Sequence, residues 1–158
     1  MSLAPLILIS PILIAVAYCD LRFMRIPNVL SVLILAIFLI SSLILPPDDL
    51  PGRIVVAAAV FGLGFAGFCF RMLGGGDVKI LSALMLFVPL HSLILFAYIF
   101  SAALLVGIAA ILTLRRRPLA TDHGWKSISG STRFPMGISI ALAGIIHPLA
   151  VMAFQILW

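Results

Sequence analysis

The chain carries five acidic residues, all aspartates, and two of them, Asp20 and Asp77, could work as a pair. Each sits against an apolar run rather than within a polar loop. Ionisable side chains at membrane depth are costly, and by default they mark function. Two carboxylates brought close together cannot both ionise easily, so they share a proton and titrate as a unit. That state suits peptide hydrolysis: the ionised acid takes a proton from water while the protonated one polarises the scissile carbonyl. Such chemistry calls for no metal and no cofactor. The other acids read differently. Asp48 and Asp49 lie between prolines in a turn, and Asp122 lies in a polar stretch.

Each member of the pair also has a plainer account. Asp77 follows Gly74, Gly75 and Gly76 and precedes an apolar helix, so it could be an N-cap; Ile80, however, stands where a capping box would place Glu or Gln. Asp20 could be a solvated boundary residue paired with Arg22, although an acid near a helix C-terminus opposes the macrodipole. The glycine triplet could form a simple turn. It could equally supply positive φ and let a substrate strand come close to the carboxylate. Lys79 could orient substrate or snorkel to lipid headgroups. Pro27 and Asn28 shape and cap the next helix. His91 and His147 fall away from both aspartates, no two histidines have metal-ligand spacing, and Cys19 and Cys69 form no CxxC pair.

The elements that must position these groups follow from composition. Apolar residues make up 64% of 158 and charged residues 9%, with mean hydropathy +1.33. A soluble domain is about 45–50% apolar and about 25% charged. So few charges cannot cover so much apolar surface, which leads to an all-α integral membrane protein. Apolar runs at 3–19, 29–45, 54–70, 80–114 and 136–158 compare with the roughly 20 residues of a spanning helix. The 80–114 run is too long for one crossing and breaks at Pro89-Leu90-His91-Ser92. Six transmembrane helices are therefore expected, at about 3–19, 29–45, 54–70, 77–90, 92–114 and 136–158, in one domain with both termini outside.

Charge supports that count. With the N-terminus outside, the inner loops 20–28, 71–79 and 115–135 hold nine of the ten basic residues, as the positive-inside rule requires. Basic loops facing anionic lipid also account for the net charge of +5 without nucleic acid. The same topology sets Asp20 and Asp77 at one membrane depth. Tyr18 and Trp158 sit where interfacial aromatics collect. Gly62-Leu63-Gly64-Phe65-Ala66-Gly67 matches GxGxxG without a preceding strand, so Gly62 and Ala66 are read as helix-packing positions instead.

Gly74-Gly75-Gly76-Asp77-Val78-Lys79 resembles the GxGD-x-K motif of the type IV prepilin peptidases, a branch of the GxGD membrane aspartic proteases. Asp20, followed by Ile26-Pro27-Asn28, is similar to that family's first-aspartate signature. Phe134-Pro135-Met136-Gly137 resembles the Pro-x-Gly start of its last helix. The resemblance implies that Asp20 and Asp77 are catalytic. It implies that Ile26, Pro27, Asn28, Gly74, Gly75, Gly76 and Lys79 shape the loops or hold substrate. The substrate would be a prepilin or pseudopilin precursor, cut at the cytoplasmic face of a bacterial inner membrane, with pilus assembly machinery as a partner. Long members carry a paired-cysteine cytoplasmic stretch and N-methylate the new terminus. This chain has no such stretch between Asp20 and the next apolar run, so methyl transfer is not expected. The short form is most similar to peptidases of Tad/Flp pilus systems. The competing expectation is a proton-coupled carrier that uses both aspartates as a relay, which would spread ionisable residues across the membrane.

Overall fold

The computed structural model describes residues 4–47, 49–115 and 134–157. Asp48, Trp158 and the expected inner loop residues Arg116, Arg117, Asp122, Lys126 and Arg133 lie outside the described residues. The described residues are helical throughout, joined by short turns. The helices are α1 (Ala4–Leu8), α2 (Ser10–Phe23), α3 (Asn28–Ile44), α4 (Leu50–Cys69), α5 (Gly75–Met85), α6 (Leu93–Arg115) and α7 (Met136–Leu157).

The expected first helix appears as two segments, because Pro11 in the first turn of α2 has no N–H to extend the ladder from α1. α2 then runs past position 19, so Asp20 belongs to its last turn. Met24 ends the helix in the left-handed region at φ 54°, and its N–H donates to the Asp20 carbonyl. After this reversal Ile26 lies against Gly76, and the extended Pro27 starts α3. α4 begins at Leu50 rather than 54, so Arg53, expected in a loop, is a buried helical residue.

α5 has 11 residues against the 77–90 expected. At 1.5 Å per residue it is about 16 Å long. It stops because the chain tightens into i→i+3 hydrogen bonds at Leu86, Phe87 and Val88 ahead of Pro89. A 3₁₀ turn over Leu90–Ser92 then leads into α6. Among the described residues, three helices are long and apolar enough to cross a membrane: Leu50–Cys69, Leu90–Leu114 and Met136–Ala153. Asn28–Ile44 is a shorter apolar helix.

α5 is the central element, packed by α3, α4 and α7, while α7 also packs on α2 and α6. Lipid tails are as apolar as leucine, so such helices gain from close packing rather than from burial alone. Gly144 of α7 provides it: a Cβ there would lie 2.6 Å from Leu13 of α2 and 3.2 Å from Leu84 of α5. Between α4 and α5 the close approach occurs at Gly64, where a Cβ would meet Val78 at 2.8 Å. Gly62 has nothing within 4 Å of such a Cβ, and Gly62 and Ala66 are both exposed. The packing position on α4 is thus Gly64 rather than the Gly62 and Ala66 expected.

The far end of α5 is held by charge. Arg53 Nη1 donates to the Phe87 and Leu86 carbonyls at 3.1 and 3.4 Å, and its Nε donates to Asp49 Oδ1 at 2.6 Å. Asp49 Oδ2 accepts the Leu90 N–H at 2.9 Å. Carbonyls released at a helix C-terminus are natural partners for a guanidinium. The Asp49 carboxylate offsets the cost of burying that charge.

Candidate active site

Asp20 keeps only 5% of its surface exposed. Its Oδ2 accepts the Gly137 backbone N–H at 2.7 Å. Gly137 is the second residue of α7, so the carboxylate satisfies an orphan donor at that helix's N-terminus and lies at the positive end of its dipole. The acid does sit at the unfavourable end of its own helix, but a second helix compensates. Arg22 is not its partner. That guanidinium bonds to the Tyr18 hydroxyl and lies 5.3 Å from the Phe23 ring centroid.

Asp77 is the third residue of α5, and Gly74 is the N-cap. The Gly74 N–H bonds back to the Asp77 carboxylate, which is half of a capping box. Asp77 is therefore a reach-back residue and not the N-cap. Its Oδ1 is buried and has no hydrogen-bond partner among the described residues. A buried carboxylate oxygen without a partner is costly in a purely structural role.

Both carboxylates line one cleft of about 300 Å³, with Met24, Arg25, Ile26, Gly74, Gly75 and Gly76. They are close enough for the charge of one to act on the other. α7 packs on both α2 and α5. The cleft joins the two segments through Ile26 and Gly76, where an added Cβ would meet Ile26 Cβ at 3.0 Å.

The glycine triplet serves proximity, not left-handed backbone: Gly74 is extended at φ −79°, and none of the three has positive φ. A Cβ on Gly74 would reach within 2.5 Å of Asp77 Oδ2. Lys79 and Asn28 lie outside the cleft and bond to each other, Nζ to Oδ1, at 3.0 Å. Pro27 precedes α3 and does not line the cleft. His147 is buried elsewhere, 3.1 Å from the Ser92 hydroxyl and edge-on to Phe96.

Met24 and Arg25 line the cleft, and no sequence signal marks them for it. Gly137 had a signal, the Phe134-Pro135-Met136-Gly137 pattern, but nothing local named Asp20 as its partner.

Comparison with known proteins adds an independent line. Residues 7–112 match the model of the type IV leader peptidase family, a span that contains both Asp20 and Asp77. This chain belongs to the type IV leader peptidase family. A prepilin leader peptidase/N-methyltransferase of Bacillus subtilis (strain 168) is 35% identical over 126 residues, covering 75% of this chain and 50% of that protein. The chain thus spans about half the length of this curated relative. No solved structure matches the chain.

Proposed function

We propose that this membrane peptidase is an aspartic endopeptidase of the GxGD type, with Asp20 and Asp77 as its catalytic pair. The observation that carries the reading is the shared cleft, in which Asp77 Oδ1 is buried without a partner. Asp20 and Asp77 each accept one backbone N–H, from Gly137 and Gly74, but Asp77 also has an oxygen buried without a partner among the described residues, so the anion is assigned to Asp20. It acts as the base toward water, while Asp77 carries the shared proton and donates it to the scissile carbonyl. Both acids then exchange roles as the amine leaves.

The proposed substrate is a prepilin-like precursor with a basic leader and an apolar segment. Cleavage takes place at the cytoplasmic face of the bacterial inner membrane, in a six-crossing topology with both termini outside. The short link between Asp20 and α3 supports a Tad/Flp-type peptidase that works without N-methylation and hands its product to the pilus machinery. The carrier alternative has no specific support here: both functional acids share one cleft.

The test is co-expression of wild type, Asp20→Asn and Asp77→Asn with prepilins from the same genome, reading leader removal by gel shift and N-terminal sequencing. Cleavage by wild type alone is expected, with all three proteins inserted to equal levels. Cleavage that survives both substitutions would rule out the aspartic mechanism.

A further inference from the structure

A second cavity, of about 470 Å³, opens beside the cleft. α3 and α4 both pack on α5, yet they have at most marginal contact with each other. The gap between them is walled by Val32 and Leu35 on one side and Phe61 on the other. Its floor is Ala57, Ser82 and Ala83, all of them small and buried. Val32, Leu35 and Phe61 are 61%, 41% and 45% exposed, so the walls stand open toward the bilayer.

One end of this groove is the Lys79–Asn28 bridge. Lys79 lies two residues from Asp77, and Asn28 lies two residues from Ile26, so the bridge is the boundary between groove and cleft. A small-residue floor lets another helix bring its backbone close, which is how helices associate in lipid. The wall from Asn28 to Leu35 covers two helical turns, about 10 Å at 1.5 Å per residue. A chain seated there would pass the bridge and enter the cleft as it left helical form.

We propose that the groove between α3 and α4 seats the apolar helical segment of the substrate, making Val32, Leu35 and Phe61 specificity-determining positions. This inference rests on the peptidase reading and names where its substrate lies. An acyl chain is the competing occupant, and the test separates the two.

A photoreactive phenylalanine analogue is introduced singly at Val32, Leu35 or Phe61 in an Asp77→Asn chain, expressed in membranes with a prepilin. Leu149 and Tyr98, exposed on α7 and α6, are the controls. The groove positions should crosslink to the precursor and the controls should not. In an otherwise native chain, Leu35→Trp should slow cleavage of the same precursor about tenfold, a pocket-filling effect of ordinary size. Tyr98→Trp should leave the rate unchanged. Equal crosslinking at all five positions, or a wild-type rate for Leu35→Trp, overturns the groove while wild-type cleavage preserves the peptidase. Lipid-only adducts at the groove positions also overturn it. If the wild type cuts no prepilin, the peptidase reading fails and the groove assignment fails with it.

Discussion

Gly137→Ala is the sharpest perturbation that the geometry of the site allows. A Cβ at position 137 would sit 2.8 Å from Asp20 Oδ2, 2.9 Å from Asp20 Cβ and 3.1 Å from Asp20 Cγ. The contact to Cβ matters most, since that atom cannot swing aside with a rotamer. Either the Asp20 backbone or the start of α7 must move, and α7 is pinned at Gly144 between Leu13 and Leu84. The 2.7 Å bond from the Gly137 N–H is then lost or stretched. A hydrogen bond to a charged group contributes about 1.5–3 kcal/mol. If that stabilisation acts on the base in the transition state, the rate should fall by roughly 10- to 100-fold. A displacement of about 1 Å at a reacting group has a cost of the same order. The assay is a time course of leader removal in membranes at matched enzyme levels. Gly62→Ala serves as the control, because its Cβ meets nothing. A Gly137→Ala enzyme that cuts at the wild-type rate would refute the claim that this amide holds the Asp20 carboxylate in its working position.

Two further outcomes follow from the packing and the charges. Gly64→Ala should push Val78 and the start of α5 off α4, at an overpacking cost of about 1–3 kcal/mol in thermal stability. Adding Val78→Ala should restore much of that loss, and a double variant no better than the single one would refute the contact. Asp49 supplies a pH test. Partial burial alone would raise its carboxyl, but the Leu90 N–H and the Arg53 guanidinium outweigh it and hold the group below its ordinary 3.8. A lowered folded pKa gives stability that is present above the unfolded value and lost as pH falls through the folded one. The melting-temperature gap between wild type and Asp49→Asn should therefore be widest at neutral pH and close below about pH 4. A gap that stays constant, or widens in acid, would contradict this.

The sequence made some of this arrangement legible and hid the rest for identifiable reasons. Apolar runs marked where helices lie, since side-chain hydropathy is a local property. Helix ends were less accurate. Nothing in 77–90 announced that α5 would stop at Met85 and hand its carbonyls to Arg53, because that cap comes from another helix. Asp20 and Asp77 stood out as rare acids beside apolar runs, and the structure brings both to one cleft. The glycines show the limit best. Their types were evident, but what each must avoid is a long-range fact: Gly76 faces Ile26, Gly64 faces Val78, and Gly137 faces Asp20. Periodicity within one segment carries no information about the neighbour across the bundle.

The bond between Asp20 and Gly137 spans 117 positions of chain. Synthesis is directional, so both aspartates are made and inserted well before the amide that holds the first of them exists. A nascent chain that has reached α6 carries the full acid pair, yet its Asp20 faces only the unfavourable end of its own helix. The last helix is thus a late-arriving part that completes the anion's seat. If Asp20 is the base, as proposed, a chain that stops before α7 lacks the amide that seats it.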